Sequence, residues 1–305
     1  MAEANSQFPR SLEGVRESLG QQSGSNRALL LMAPLLAFEL LVFVVPFFIL
    51  LRISFAEESS DLVYAEGTWT LEAYSSVLTS DLLWSIVGFS FLLGVVVTIL
   101  SVLIGLFYAY AIWRSTGLVK SLLLFSVVLP LLTTLVIRTY AFNPLLAPSG
   151  TLNELLLSLG LISSPIQFVP GTVGVVVGQL YIVLPYAVLA IYSVLATMDW
   201  HVVEAARDLG ASRPRSVLEV VVPQAMPGII VAAVISFAWS VGAYAAPDLL
   251  SGNITFAMQV EGLMLSDMRY PLAAAFSVVM LLLMLVSIAI MFTLLNRLGG
   301  EFELA

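Results

Sequence analysis

Long apolar stretches alternate with short polar segments along this chain of 305 residues. Each stretch is near or above the ~20 residues that an α-helix needs to cross a bilayer. The pattern therefore predicts an all-α membrane protein with a transmembrane domain over residues 28–297, flanked by polar tails at residues 1–27 and 298–305. The six predicted transmembrane helices cover residues 28–54, 84–113, 118–142, 171–197, 225–247 and 270–295.

The basic residues predict the orientation of these spans. An even number of spans puts both termini on one side of the membrane, and cytoplasmic loops are enriched in Lys and Arg. With cytoplasmic termini, only Arg52, Arg138 and Arg269 of the 12 basic residues fall at the outer ends of the spans. The other nine then lie inside: Arg10, Arg16, Arg27, Arg114, Lys120, Arg207, Arg213, Arg215 and Arg297.

The composition excludes several function classes. The chain is 60% hydrophobic and only 10% charged, whereas soluble domains are about 25% charged. Its net charge of −8 argues against a nucleic-acid partner. Because it has no cysteine and the single histidine His201, we expect no metal site. The chain has neither a P-loop nor a Gly-x-Ser-x-Gly motif, so we expect no catalytic residue and no cofactor of its own.

One polar segment inside the apolar pattern, residues 199–223, predicts a helix–turn–helix hairpin. Asp199 is a good helix N-cap, and Gly210 is the residue expected just past a helix end. Ser212 can cap a second helix that Pro223 ends, with Pro214 tolerated in its first turn. The first helix carries one narrow apolar stripe, which we expect at its contact face: Val202, Ala205, Ala206 and Leu209.

The hairpin resembles the EAA loop of binding-protein-dependent ABC importer permeases. The resemblance rests on Glu204-Ala205-Ala206, on Gly210 after three intervening residues, and on the ending Val220-x-Val222-Pro223. Valine stands here where the family usually has Ile and Leu before the proline, a mild departure. The resemblance implies the type I importer permease (MetI-like) fold in a bacterial inner membrane, with the hairpin as a cytoplasmic coupling helix.

The same resemblance implies partners and coupling residues. The partners are two ATPase subunits that bind ATP and Mg²⁺, a second permease that is either a similar but non-identical chain or a copy of this one, a soluble binding protein outside and the lipid bilayer. Glu204 and Arg207 would make polar contacts in the groove of the ATPase, the two alanines would allow close approach, and Gly210 would hold the turn. The full set of expected coupling residues is Glu204, Ala205, Ala206, Arg207, Asp208, Gly210, Arg213 and Arg215.

Polar segments outside the hairpin carry weaker signals. The first outer loop, residues 55–83, is acidic, and either attracts cations or is simply solvated. Thr151 and Glu154 have the spacing of a capping box ahead of a short interfacial helix. Gly174 and Gly178 allow close approach of a helix, from this chain or from a second permease. Three prolines in or near spans predict kinks or helix ends: Pro185, Pro227 and Pro247.

Polar and aromatic residues within the spans are candidates for the cargo path, because burying a polar group in a membrane costs free energy. Glu39 lies in the middle of the first span, and faces another subunit, faces a shielded cavity, or is protonated. Aromatic residues supply either cation–π faces for an amine or simple packing. The full set of candidates is Glu39, Arg138, Tyr140, Tyr181, Tyr186, Trp239, Tyr244, Asp248 and Glu261.

Two short elements resemble the spermidine/putrescine-type branch of these permeases. They are Arg138-Thr139-Tyr140-Ala141-Phe142-Asn143 and the segment from Ser240 to Gly252. The alternative for Arg138 is that it snorkels to the outer interface. The resemblance favours polyamine cargo, with opines, phosphonates and ferric iron as alternatives.

Two other classes of protein remain as alternatives. An ion-coupled secondary transporter requires broken helices in two repeated halves with ionisable residues at the midplane, and the chain shows no visible repeat and one strong midplane candidate, Glu39. A membrane-bound enzyme is disfavoured because nucleophile and metal motifs are missing.

Overall fold

The computed structural model describes residues 32–59, 63–250 and 252–299, and regular structure in these ranges is entirely helical. The fold class predicted from the apolar pattern is therefore confirmed. Contacts divide the chain into two units, residues 1–53 and residues 54–305. The helices are α1 (Met32–Ile53), α2 (Glu72–Thr79), α3 (Asp81–Arg114), α4 (Gly117–Val128), α5 (Leu135–Tyr140), α6 (Asn143–Leu146), α7 (Thr151–Ser158), α8 (Thr172–Leu195), α9 (Trp200–Asp208), α10 (Arg213–Gln224), α11 (Met226–Val241), α12 (Ala245–Leu250), α13 (Phe256–Glu261) and α14 (Tyr270–Gly299).

The described part of the first unit is the single helix α1. It has 22 residues of high mean hydropathy, enough to cross a bilayer, and contains a π-helical turn at Leu40–Val44. Glu39 immediately precedes that turn, and its side chain is exposed. The remainder of the predicted first span, residues 28–31, and the basic residues Arg10, Arg16 and Arg27 lie outside the described residues.

The second unit is built on three long helices, α3, α8 and α11, which pack against one another. Glycines permit this close approach, as is common in membrane bundles. A Cβ at Gly105 of α3 would lie 3.3 Å from the Cβ of Ala187, and one at Gly228 of α11 would lie 2.7 Å from the carbonyl oxygen of Ala190. Four described helices are long and apolar enough to span a membrane, or up to six if each of two bent pairs counts as one span.

The predicted span 118–142 is one of the bent pairs. Helix α4 continues as a 3₁₀ turn over Leu129–Leu132, and the chain then bends by 109° before α5. Pro130 has no N–H to continue the α-helical ladder, so the turn tightens and ends at Thr133. The sequence pattern predicts one continuous span here, because the spacing of apolar residues does not show where a backbone hydrogen bond is missing.

The predicted span 225–247 is also interrupted. Helix α11 has 16 residues, and Pro227 lies in its first turn, where no N–H is needed. It ends at Gly242, and Pro247 lies in the separate short helix α12. At its other end, α11 meets α10 at an angle of 70°. The predicted ending of the hairpin at Pro223 is wrong: π-helical turn Val217–Val221 gives way to a final α turn, Val222–Gln224, and the break falls at Ala225.

The segment between α5 and α8 holds the short helix that the sequence predicts, but its capping is different. The N-cap is Gly150 and no side chain caps this helix, so the capping box of Thr151 and Glu154 is wrong. Asn153 is fully buried, and its amide nitrogen donates to the carbonyl oxygens of Ala147 at 3.0 Å and Ile166 at 2.8 Å. These bonds fasten α7 to the segments before and after it.

Gly174 and Gly178 accommodate parts of this same chain. A Cβ at Gly174 would lie 2.5 Å from Val169, and one at Gly178 would lie 2.6 Å from Leu250 of α12. The alternative left open by the sequence is thus decided in favour of close packing within the subunit at both glycines. Pro185 stays inside the uninterrupted helix α8.

Candidate functional site

The hairpin of residues 199–224 begins and turns as its sequence predicts. The side chain of Asp199 accepts a hydrogen bond from the His201 N–H at 3.0 Å, which caps α9. Gly210 has φ of +96°, in the left-handed region. Its N–H donates to the Arg207 carbonyl at 2.8 Å and the Ala211 N–H to the Ala206 carbonyl at 3.1 Å, the bond pair of a Schellman motif.

The buried face of α9 is not the predicted apolar stripe. Val203 is fully buried, whereas Val202 is 44% exposed and Leu209 is 90% exposed. Ala205 is exposed and Ala206 half-buried, and Asp208 is exposed. Spacing alone favoured the longer stripe, but the short helix rests on the bundle through one valine. An apolar stripe is therefore presented to the outside of this chain.

Trp200 is the centre of the hairpin's contact with α3. Its ring packs edge-on against Trp113 at 5.2 Å between centroids, and the Arg114 guanidinium lies 3.8 Å from the ring centroid. The Trp200 indole N–H donates to Glu204 Oε1 at 2.8 Å, and Glu204 Oε2 lies 3.1 Å from His201 Nδ1. Glu204 is thus held by its own helix while remaining half exposed.

The arginines of the hairpin have different local partners. Arg207 donates its Nε–H to the hydroxyl of buried Ser216 at 3.3 Å, which joins the two arms of the hairpin. Arg215 forms a bidentate ion pair with Glu219 at 2.9 and 3.0 Å. Arg213 is exposed. The predicted contact of Arg207 with an ATPase remains a prediction, and within this chain the side chain fastens the hairpin.

The hairpin is continuous with the apolar core at its end of the bundle. Val203, Val221 and Ala225 are fully buried and belong to one cluster with Ile112 of α3 and Leu195 of α8. A displacement of the hairpin therefore acts directly on three long helices.

A second group of predicted residues meets at the opposite end of the bundle. Tyr244 donates a hydrogen bond to the Glu261 carboxylate, which raises the pKa of the tyrosine to about 12, and partial burial and the charge of Asp248 add to this effect. Asp248 and Glu261 are both exposed. The structure therefore brings together three of the cargo-path candidates; Ser251, within the same segment, lies outside the described residues.

The two groups lie at opposite ends of α3. The hairpin contacts Trp113, while the N–H of Phe256 in α13 donates to Ser90 Oγ at 2.9 Å. Ser90 and Trp113 are separated by about 35 Å along the helix at 1.5 Å per residue, close to the ~30 Å of a bilayer's hydrocarbon core. The positions therefore fit two opposite membrane surfaces.

The other cargo-path candidates fall into three environments. Tyr186 stacks on Trp239 at 5.5 Å, and Tyr181 packs edge-on against Phe142 at 5.3 Å. Tyr140 is 61% exposed. Glu39 belongs to the separately described first unit.

Arg138 does not snorkel to an interface. It is only 8% exposed and donates to the carbonyl oxygens of Pro130 and Thr133, the latter at 2.9 Å. These carbonyls lie at the break between α4 and α5, where helical partners are missing. Arg138 thus stabilises the bend, a role that neither sequence interpretation included.

Two features of the second unit were missed by the sequence analysis. Gln179 of α8 is fully buried, and neither polar atom of its amide has a hydrogen-bond partner. In the acidic loop, Glu58 pairs with Arg269 at 2.9 Å beside a cavity of about 250 Å³ that Glu57 and Glu72 also line. Gln179 could have been singled out from the sequence, because it is a lone glutamine within an apolar span. The Glu58–Arg269 pair could not, because the two residues are far apart in the chain. Asp61 of that loop lies outside the described residues, which contain no cluster of three or more potential metal ligands.

Residues 101–299 match the model of a family described as "Binding-protein-dependent transport system inner membrane component". The match covers both the hairpin and the polar group at the other end of the bundle.

Curated relatives are similar over most of the chain. The spermidine/putrescine transport system permease protein PotB of Haemophilus influenzae is 31% identical over 271 residues, which are 88% of this chain and 94% of that protein. PotB of Escherichia coli is 30% identical over 73% of this chain and 82% of its own length. The sulfate transport system permease protein CysT of Salmonella typhimurium is 32% identical, but over only 41% of this chain and 47% of its own length.

Solved structures support the fold. A bacterial ABC transporter that imports the acidic polysaccharide alginate matches with a TM-score of 0.75 and 16% identity, over 93% of this chain and all of the matched chain. The same kind of transporter in complex with an alginate pentasaccharide-bound periplasmic protein matches with a TM-score of 0.74 and 17% identity, over 92% and 98% of the two chains.

Proposed function

This chain belongs to the inner membrane components of binding-protein-dependent transport systems, and we propose that it forms part of the path through which an ABC importer takes up polyamines. It is a membrane permease subunit of such an importer. The cargo, the partners, the orientation and the roles of individual residues are the proposed parts of this function.

The observation that carries the cargo proposal is the group of Tyr244, Asp248 and Glu261. Two exposed carboxylates lie near the hydroxyl of Tyr244, at the end of the bundle away from the hairpin. Protonated amines are attracted by carboxylates and aromatic faces, and one turn or more deeper, α11 presents Trp239 stacked on Tyr186. The PotB relatives, which cover most of this chain, belong to spermidine/putrescine systems.

Other cargoes are supported less well. An anion such as sulfate or a phosphonate would be repelled by Asp248 and Glu261, and the sulfate system relative matches less than half of this chain. Arg138, the basic residue among the candidates, is turned to backbone carbonyls. Ferric iron and opines remain cargoes for the uptake test to exclude.

The proposed mechanism assigns different work to the two ends. Two ATPase subunits, which bind ATP and Mg²⁺, contact the permeases in the cytoplasm. One binds residues 199–223 of this chain, and the other binds the corresponding hairpin of a similar second permease. Their closure moves the hairpins together, and Ala225 and Val203 pass the movement to α11, α3 and α8 as a rigid rotation. A soluble binding protein delivers the polyamine to the opposite, outer end.

The exposed stripe of Val202 and Leu209 and the half-exposed Glu204 are the parts of the hairpin offered to the ATPase. The charge distribution supports a cytoplasmic hairpin and cytoplasmic termini: Arg114, Arg213 and Arg215 lie at the hairpin end, and Asp248 and Glu261 at the other. In this proposal the chain itself carries out no catalysis, and hydrolysis belongs to the ATPase.

Uptake by the reconstituted importer tests the cargo. Labelled spermidine, putrescine, an opine, a phosphonate, sulfate and ferric iron are offered to proteoliposomes with their binding protein and internal ATP. Polyamine uptake that depends on ATP is the expected result. Uptake of another cargo without polyamine uptake contradicts the proposal, and transport by this chain alone, without an ATPase, contradicts the importer mechanism.

Glu204→Lys tests the docking of the hairpin. The substitution replaces a carboxylate held by Trp200 with a cation beside Arg114 and Arg207, so the ATPase should be lost in pull-downs from detergent. Glu204→Gln, which keeps an acceptor for the Trp200 N–H, is the matched control and should retain more ATPase. Equal retention by both variants removes the assigned role of Glu204.

A further inference from the structure

A cavity of about 390 Å³ lies between the hairpin and the last turn of α3. Three of its lining residues are arginines and none is acidic: the wall consists of Tyr110, Arg114, Arg207, Arg213, Pro214 and Val217. None of the three arginines takes part in an ion pair among the residues that the structure describes. The lining therefore carries three positive charges and no negative one.

Two of the arginines are held in place by groups that leave their charge unneutralised. Arg114 lies over the ring of Trp200 at 3.8 Å, and the Nε–H of Arg207 is bound by the Ser216 hydroxyl at 3.3 Å. A planar guanidinium fixed in this way is suited to bind the oxygens of a phosphate group in pairs. Because the side chains are already ordered, little conformational entropy is lost on binding.

The surroundings of the cavity correspond to the headgroup level of a membrane. Arg114 is the last residue of the 34-residue apolar helix α3, and Tyr110 and Trp113 pack together in its final turns at 6.0 Å. Nearby, the Lys120 ammonium lies 5.6 Å from the ring of Tyr192. Tyr and Trp collect at the interface between acyl chains and headgroups, together with Lys and Arg.

The cavity lies on the inward side of the hairpin. Arg207 is four residues after the buried Val203, so the two share a face of α9. The face with Val202 and Leu209, 44% and 90% exposed, points elsewhere. A protein that grips the exposed stripe therefore leaves the arginine cavity to the membrane surface.

We propose that this cavity binds the phosphodiester headgroup of an anionic phospholipid, such as phosphatidylglycerol, in the leaflet at the hairpin end of the bundle. Basic pockets between transmembrane helices are suited to such headgroups. The single negative charge of the bound lipid would offset part of the positive charge of the three arginines and tie the hairpin to α3. The inference holds for any cargo, since it depends only on the hairpin end of the bundle.

Native mass spectrometry of the full chain, purified in detergent with its co-purifying subunits, tests the site. The probes are dioleoylphosphatidylglycerol, dioleoylphosphatidylcholine with the same acyl chains, and free glycerol phosphate. Wild type should retain one phosphatidylglycerol in preference to phosphatidylcholine. Because an arginine near anionic lipid contributes about 1 kcal/mol, Arg213→Gln should weaken this retention about fivefold, and Arg114→Gln with Arg213→Gln about 25-fold.

Two variants serve as controls. Arg215→Gln removes a hairpin arginine that is paired with Glu219 and lies outside the cavity, and should change retention by less than about twofold. Arg213→Lys keeps the charge at an exposed position and should restore most of the binding, which separates loss of charge from misfolding. An unchanged elution volume in size-exclusion chromatography checks each variant.

Three results would overturn the proposal. Equal retention of the two lipids removes the requirement for an anionic headgroup. Displacement of the lipid by free glycerol phosphate at equal concentration assigns the cavity to a soluble phosphate compound. Unchanged lipid retention by the double variant, with loss of the ATPase in pull-downs, assigns the arginines to docking of that protein.

Discussion

The two ends of the helix bundle differ in the charged groups that they expose. The hairpin end is secured by buried apolar residues and aromatic rings, with Val203, Val221 and Ala225 in the core and Trp200 against Trp113. The end with α12 and α13 is also packed through apolar residues, with Ala246 and Leu250 in the core and Phe256 against Phe276, and the Gly171 N–H donates to the Leu250 carbonyl at 2.9 Å. The hairpin end exposes arginines together with carboxylates, whereas the second end exposes Asp248 and Glu261.

The proposed function assigns transmission of force to the hairpin end and recognition of the cargo to the other end. A hairpin that packs into the core moves only with the helices it touches, as a coupling element must. The exposed carboxylates of Asp248 and Glu261 are instead open to a ligand in solution. Experiments that perturb one end at a time distinguish these tasks.

The largest effect is expected from Gly210→Val at the hairpin turn. No atom lies within 4 Å of a Cβ at this position, so only the φ of +96° opposes a side chain. A β-branched residue there costs about 1–3 kcal/mol, or ~5- to 150-fold in the native population of the turn. Membrane insertion should persist while transport-coupled ATP hydrolysis in proteoliposomes is lost.

Gly210→Asn is the matched control for the turn, because asparagine tolerates positive φ. It should retain much of the coupled hydrolysis. Unchanged coupled turnover in the valine variant would show that the geometry of the turn is unimportant.

The next effect is expected at the acidic end, from Asp248→Asn combined with Glu261→Gln. Each carboxylate attracts a polyamine by about 1 kcal/mol when solvent-exposed, so the pair should slow spermidine uptake about tenfold or more. Initial uptake rates at saturating binding protein measure this. Glu66→Gln, at an exposed acid of the outer loop, should stay within about twofold. Equal slowing by all these substitutions would indicate a general effect of surface charge.

A third and smaller effect is expected on stability, from substitutions of two glycines that permit close packing near the two ends. A Cβ at Gly228 meets the backbone of Ala190 and Ile191 at 2.7 and 2.9 Å, which cannot move without shifting α8. Gly228→Ala should therefore lower stability by about 1–3 kcal/mol. At Gly178 the nearest atom is the end of the Leu250 side chain, at 2.6 Å, and the expected loss is smaller.

Thermal unfolding of the detergent-purified protein measures both glycine variants. Gly88→Ala is the control, because no atom lies within 4 Å of its Cβ. A larger loss for Gly178→Ala than for Gly228→Ala would mean that the acidic end is the more rigidly packed.

The smallest effect concerns Tyr244, beyond the end of α11. Its pKa is raised above the usual 10.0, to about 12, so the protonated hydroxyl is favoured in the folded protein. Its contribution to stability is therefore intact below pH 10.0 and is lost as pH rises through about 12. Ultraviolet difference titration of wild type against Tyr244→Phe should show this late ionisation.

Glu261→Gln should return the ionisation of Tyr244 toward its usual range, since the carboxylate is the first cause of the shift. Asp81→Asn, at an acid in the first turn of α3, should leave it in place. A Tyr244 that ionises near 10.0 in wild type would mean that the hydroxyl and Glu261 do not meet.

Several parts of the hairpin could be predicted from its sequence because their causes are local. Asp199 caps a helix through a neighbour two residues away, and Gly210 adopts a positive φ because it lacks a Cβ. The face of α9 that is buried could not be predicted, since Val202 and Val203 are both apolar and adjacent. Contacts with distant helices select the second of them.

The sequence by itself determined the helical membrane class and the hairpin turn. The length of an apolar stretch, a helix cap and a glycine in the left-handed region depend on residues that are close in the chain, so they can be predicted from the sequence. Only the tertiary structure decided that Arg138 stabilises the bend after Pro130, that Tyr244 meets Glu261 and that three arginines surround one cavity. Each of these contacts depends on where the backbone turns and on which distant residues it brings together. The periodicity of the sequence contains no information about such contacts.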